Sequence, residues 1–245
     1  MKNYKITISY DGTKYNGWQR QGNTKNTLQE KFENVLSKMC GKQIEIFASG
    51  RTDAGVHALG QVANFKCETD KNPDEIMVYL NAYLPEDVAV LDIEEVQDMF
   101  HSRLCAKRKT YRYTIACTKK HVFARKFVYR TDEVLSVDAM RQAANKLRGT
   151  HDFIGFSAVK KIKKSTVRTI YDIDIRQNDG LIEIDIIGSG FLHHMVRIIA
   201  GTLFDIGCGR MTASVIDEVL ENGVRSEAGT MLPACGLMLL EVEYK

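Results

Sequence analysis

No stretch of the chain approaches the roughly 18 consecutive apolar residues that a membrane span needs, so no membrane association is expected. No Cys-x-x-Cys pair occurs either: Cys40, Cys67, Cys105, Cys117, Cys208 and Cys235 are scattered. A structural zinc site draws on close-set ligand pairs, and a secreted disulfide scaffold is smaller and denser in cysteine. Six reduced, mostly buried thiols are therefore expected. There is no Walker A sequence, and Gly188-Ser-Gly190 lacks the third glycine of a dinucleotide fingerprint, which argues against a nucleotide cofactor. The first residues, Met1-Lys-Asn-Tyr-Lys-Ile-Thr-Ile-Ser9, alternate like a strand and contain no signal-peptide core, so a cytoplasmic protein is expected.

What is present suits an ordinary globular protein: 245 residues, 44% hydrophobic and 27% charged. That length allows one large domain or two smaller ones. The net charge of +3 hides an asymmetry. Ten Lys or Arg and no acid lie between Arg103 and Arg130, whereas ten acids and one Lys lie between Glu68 and Met99. A second basic run, Lys160–Lys164, precedes Arg168. Clustered cations of this kind are the footprint of a polyanionic partner, although a short run is also compatible with a solvated loop.

Periodicity predicts the order strand, helix, strand, strand, helix, strand, twice over. In the first half the strands are Lys2–Tyr10, Gln43–Ala48, Gln61–Phe65 and Val88–Val96. The first helix carries Leu28, Phe32, Val35, Leu36 and Met39 on one stripe, with Thr27-Leu-Gln-Glu30 read as its capping box and Gly41 as its stop. Asn72-Pro73 opens the second. In the second half the strands are Lys109–Cys117, Val167–Arg176, Leu181–Gly188 and Gly236–Tyr244. The middle pair turns at Asn178-Asp-Gly180. Helices follow Ser136 and cover about 191–206 and 212–222. Two β-α-β-β-α-β units imply an α+β fold of two ferredoxin-like halves joined into a mainly antiparallel sheet. The halves are assigned to residues 1–104 and 105–245.

Four segments concentrate reactive side chains. Gly50-Arg-Thr-Asp-Ala-Gly-Val-His-Ala58 is a glycine-bounded loop between strands, with the carboxylate of Asp53 near the guanidinium of Arg51. A nearby cation favours the ionised carboxylate, which then serves as nucleophile or base without a metal; Asp and Gly also make ordinary turns. In Lys107–Tyr113, Tyr111 and Tyr113 share one strand face and Arg112 the other. Tyr113 suits a core, while an aromatic in a basic segment is also how proteins stack an unpaired base. In Gly188–Arg197, Arg197 lies among apolar neighbours and needs a carboxylate partner if buried, Asp53 or a local acid. His193 and His194, if helical, point about 100° apart and make a poor metal pair. Tyr10–Gln21 holds the single Trp and is read either as a loop covering a core edge or as a phosphate and sugar contact.

Taken together, Tyr10–Gln21, Gly50–Ala58, Arg108–Tyr113, Gly149–Ser157 and Gly190–Arg197 resemble the tRNA pseudouridine synthase A (TruA) family, across nearly the whole chain. The resemblance implies the pseudouridine synthase fold. It also implies an isomerase converting uridine to pseudouridine at positions 38, 39 and 40 of the tRNA anticodon stem-loop, without cofactor or metal, as a homodimer. By that resemblance Asp53 is the catalytic aspartate and Arg197 its basic partner. Arg51 displaces the uridine and holds the flipped nucleotide, and Tyr111 stacks on the target base. A non-catalytic RNA-binding module is the alternative. A glycosidase-like hydrolase would need two carboxylates flanking the bond, and the short motifs offer one.

Overall fold

Strand and helix follow one another in a repeated pattern, seen in a computed structural model that describes residues 1–117, 120–159 and 165–245. Contacts divide the chain into two units, Met1–Lys107 with Leu239–Lys245, and Arg108–Met238. The basic run Lys160–Lys164 lies outside the described residues.

The first unit runs β1 (Lys2–Tyr10), α1 (Leu28–Cys40), β2 (Ile46–Ala48), β3 (His57–Cys67), α2 (Pro73–Tyr83) and β4 (Val88–Val96). β1 pairs antiparallel with both β3 and β4, and β2 pairs antiparallel with β3. The order β4-β1-β3-β2 is that of a ferredoxin-like unit. Alternation along β1 places Tyr4, Ile6, Ile8 and Tyr10 in the core, where α1 adds Leu28, Phe32 and Leu36. β2 is shorter than its apolar pattern predicts, because only Ile46–Ala48 finds partners on β3. Elsewhere β3 neighbours the last strand, β10 (Leu237–Glu243), whose residues from Leu239 onward belong to this unit. There a Cβ on Gly60 would lie 2.3 Å from the Leu240 carbonyl oxygen.

Helix starts separate a correct element from a wrong cap. Thr27 makes no side-chain cap bond, and its buried hydroxyl has no partner among the described residues. Instead the amides of Leu28 and Gln29 donate to the carbonyls of Gly17 and Trp18, at 3.2 and 2.9 Å. A folded-back loop has taken the place of the capping box. A true box forms on α2, where the Asn72 side chain accepts from the Glu75 amide (2.9 Å) and Glu75 Oε2 accepts from the Asn72 amide (2.8 Å).

The second unit contains β5 (Arg108–Cys117), β6 (Tyr129–Thr131), α3 (Val137–Asn145), β7 (Gly149–Asp152), β8 (Val167–Asn178), β9 (Leu181–Gly188), α4 (Met195–Gly207) and α5 (Ser214–Asn222). Antiparallel pairing gives β5-β9-β8-β7, and β6 lies parallel to β5. Neither β6 nor β7 stands out in the sequence, being three and four residues long. The core includes Ile182, Ile184 and Ile186 of β9 and, on α4, Ile198, Ile199, Ala200 and Leu203, none of which has exposed surface. α4 starts at Met195, later than expected, because His194 adopts the left-handed region at φ 63° and halts the helical path. No helix among the described residues is long and apolar enough to cross a membrane.

Candidate active site

The Asp53 loop is a turn held from beneath. The Asp53 carbonyl accepts from the Val56 amide at 3.1 Å, and Gly55 takes φ 79° where a type II turn demands a positive value. The reading of Thr-Asp-Ala-Gly as a turn is thus met by the backbone. On its upstream side Gln61 donates to the Gly50 carbonyl (3.0 Å) and accepts from the Ser49 hydroxyl (2.8 Å). The hydroxyls of Tyr10 and Thr52 meet at 2.8 Å. Tyr10, Ser49, Thr52 and Gln61 are all buried. Burial pushes the Tyr10 phenol up to about 12, against the lowering effect of its bonds to Thr52 and Gln61. Its proton is therefore retained at neutral pH and is available to that network.

The Tyr10–Gln21 segment clamps the other side, with Tyr15 and Trp18 buried. The Trp18 amide donates to the Thr52 carbonyl at 3.0 Å, while its own carbonyl receives Gln29 of α1. One residue thereby ties the Asp53 turn to the start of a helix, and Trp18 also stacks on Phe32 with ring centroids 6.0 Å apart. Two glycines permit the approach. A Cβ on Gly12 would lie 1.9 Å from the Val56 carbonyl oxygen; on Gly17, itself at φ 85°, it would lie 2.7 Å from that of Thr52. Buried His57 completes the clamp, its Nδ1 accepting from the Gly12 amide at 3.1 Å with Asp11 Oδ1 at 3.2 Å. The aromatic part of Tyr10–Gln21 is thus a support for the turn. The sequence carries no signal for His57 as a clamp, because its partner is a backbone amide 45 residues away.

Within this frame Thr52 is buried, Asp53 is half-buried and Arg51 is exposed. Burial therefore rises from Arg51 to Thr52 and falls again at Asp53 along the turn. Arg51 makes no hydrogen bond or ion pair among the described residues.

The remaining expected site residues, Tyr111 and Arg197, lie in the second unit. Tyr111 is on β5 opposite Ile186 of β9 and is 7% exposed, with the Phe191 ring meeting it edge-on at 5.3 Å. Tyr113, two residues on, is fully buried and donates to the Pro233 carbonyl at 2.8 Å, as its reading as a core residue required. Arg197 is half-buried on the first turns of α4, and its Nε donates to the Leu232 carbonyl at 2.8 Å. That bond and the return bond from the Leu232 amide to the Arg197 carbonyl (3.3 Å) fix the direction of the side chain. A close approach supports it: a Cβ on Gly201 would lie 1.5 Å from the Thr230 carbonyl oxygen. His193 and His194 stand in the turn before α4, with ring centroids 3.7 Å apart, and the argument from helical spacing does not apply to them.

Comparison with known proteins bears on these segments together. A family model described as tRNA pseudouridine synthase matches residues 6–104 and 143–245. A protein of Bacillus cereus (strain ZK / E33L) named tRNA pseudouridine synthase A 2 is 45% identical over 246 residues, covering the whole of both chains. A tRNA pseudouridine synthase A of Bacillus sp. (strain KSM-64) is 47% identical over 245 residues, again across both chains in full. A solved chain from a Cbf5-Nop10-Gar1 complex aligns at TM-score 0.38 and 11% identity, over 96% of this chain and 48% of that one.

Proposed function

The chain belongs to the tRNA pseudouridine synthase family, a family of isomerases, and on that premise we propose that it converts uridine to pseudouridine at positions 38, 39 and 40 of the tRNA anticodon stem-loop. The reaction cuts the N-glycosidic bond, rotates the uracil and joins C5 to C1′, with the C5 hydrogen released as a proton and N1 protonated. The base never leaves the site, so the chemistry calls for no cofactor and no metal. One carboxylate suffices.

The observation that carries this reading is the Asp53 turn, pinned from both sides by buried hydrogen bonds and held against Gly12 and Gly17. A module that only binds RNA has no use for a carboxylate presented so rigidly. We assign Asp53 as the catalytic aspartate. Attack at C1′, addition at C6 and abstraction of the 2′ proton all require it ionised. Arg197 is assigned as the basic partner of that carboxylate. Tyr111 is assigned to stack on the target base and Arg51 to hold the flipped nucleotide. Extruding a uridine from its stack costs a few kcal/mol, which phosphate contacts from the basic residues offset. These assignments place the catalytic loop in the N-terminal half, residues 1–104, and the stacking tyrosine and basic segment in the C-terminal half, residues 105–245. We further assign the protein to the cytoplasm as a homodimer, in which one tRNA engages both subunits.

The test is Asp53→Asn. It abolishes tritium release from C5-labelled uridine in tRNA and leaves tRNA affinity within about twofold, because phosphate contacts dominate affinity. Wild-type turnover in that variant removes Asp53 from the mechanism. Mass-spectrometric mapping of anticodon stem-loops after incubation reads the three positions directly.

A further inference from the structure

The ten cations between Arg103 and Arg130 do not share one fate. Arg112 is consumed by a bidentate bond to Asp185 (2.7 and 2.8 Å) and a third to Glu183 (2.8 Å). Arg130 donates to Asp132 at 2.8 Å, and Arg108 lies over the Tyr171 ring at 4.9 Å. Lys120, Arg125 and Lys126 are exposed in the connection between β5 and β6, where no acidic residue occurs before Asp132. At the crown of that connection Phe123 is 95% exposed and Val122 62%.

This phenylalanine lies almost wholly in water, in a segment closed on itself by two hydrogen bonds. Arg125 Nη1 donates to the Val122 carbonyl at 2.6 Å, and the Phe127 amide to the Ala124 carbonyl at 2.8 Å. Behind the crown Val128 is buried, with its carbonyl accepting from Cys235 Sγ at 3.5 Å, and Tyr129 packs edge-on against Phe204 at 5.7 Å. The ring is presented outward instead of folding back onto apolar neighbours.

We propose that Phe123 is an RNA-docking residue, stacking on an unpaired base of tRNA while Lys120, Arg125 and Lys126 flank the adjoining phosphates. The inference rests on the tRNA reading above and adds a second aromatic contact, separate from Tyr111. Nucleic acid offers a π-face beside a phosphate, which matches an aromatic ring flanked by cations. A second copy of this chain is the rival occupant, its acidic stretch Glu68–Met99 being the complementary surface. Five of that stretch's ten acids are already paired within its own unit: Lys42 holds Glu68 at 2.9 Å, Lys2 holds Glu95 at 2.8 Å, Lys14 lies 3.4 Å from Asp87, Lys5 pairs with Glu94, and Lys66 with Asp98.

The experiment is titration of a fluorescently labelled full-length tRNA transcript, read by anisotropy across a salt series, with light scattering on the same samples. Phe123→Ala weakens affinity about tenfold, within the range for loss of one stacked base, and leaves the slope of log Kd against log salt unchanged. Phe123→Trp binds within about twofold of wild type, and Lys120→Gln lowers the slope by about one. Wild-type affinity in Phe123→Ala overturns the proposal. So does a loss of affinity accompanied by dissociation of an oligomer, which assigns the crown to a second copy. Because binding is read without turnover, a wild-type protein that binds tRNA but forms no pseudouridine refutes the isomerase reading alone. A wild-type enzyme that turns over while Phe123→Ala binds normally refutes this proposal alone.

Discussion

Replacing Gly12 with alanine tests whether the backbone clamp, and not the Asp53 side chain alone, sets the activity. The new Cβ meets the Val56 carbonyl oxygen at 1.9 Å and its carbon at 2.6 Å, both backbone atoms that no rotamer change can move. Contacts under 3.0 Å are not tolerated, so the Val56 carbonyl must retreat by about 1.1 Å. That displacement acts on two bonds directly: the Val56 amide to the Asp53 carbonyl (3.1 Å), and the Gly12 amide to His57 Nδ1 (3.1 Å). A shift of about 1 Å in a reacting group lowers rate by roughly 100-fold, and overpacking costs about 1–3 kcal/mol of stability. Single-turnover tritium release, tRNA affinity and thermal melting separate the effects. We expect kcat down about 100-fold, affinity within about twofold, and a melting temperature lower by roughly 2–12 °C. Gly22→Ala, where a Cβ meets nothing within 4 Å, is the control and should behave as wild type. Gly12→Ala with undiminished kcat would falsify the view that the clamp positions Asp53.

Other perturbations act on the base-stacking tyrosine, the buried phenol and the Glu33 network. Tyr111→Ala should lower kcat by at least tenfold while changing tRNA affinity little, whereas Tyr111→Phe retains the ring and most of the rate; equal losses in both variants would refute stacking. Tyr10→Phe should flatten the alkaline limb of the stability profile. Burial raises the Tyr10 phenol from its ordinary value of 10.0 to about 12 in the folded state, so the unfolded state ionises first. Wild-type stability is therefore lost as pH rises from 10 to 12, by roughly 3 kcal/mol from this residue, and chemical denaturation across that range reads the difference. Glu33→Ala removes a buried carboxylate that accepts from Arg20 (2.8 Å), Gln29 (2.8 Å) and the Ile46 amide (3.4 Å). The unfolding free energy should fall by about 2 kcal/mol, the low end for a pair whose arginine is half exposed, and an unchanged melting temperature would count against that network.

The sequence alone determined the repeated strand and helix order, because alternation in β1 and the stripe on α1 are local patterns whose period is set by backbone geometry. It also marked Gly50–Ala58 and Tyr111, since a carboxylate between glycines and an aromatic among cations are uncommon neighbours. Caps and short strands escaped it. Thr27 and Asn72 carry the same kind of start signal, yet only Asn72 closes a box; at α1 the Gly17 and Trp18 carbonyls accept from the first two amides and the Thr27 side chain makes no cap bond. Only the tertiary structure decided what supports Asp53. Gly12, Gly17, Trp18 and His57 act through backbone amides and carbonyls, groups that every residue possesses and that leave no trace in residue identity. Tertiary contacts likewise sorted the basic segment, spending Arg112 on Asp185 and Glu183 while leaving Phe123 outside the core. A charge is written in the sequence; the partner that neutralises it is chosen when the strands pair.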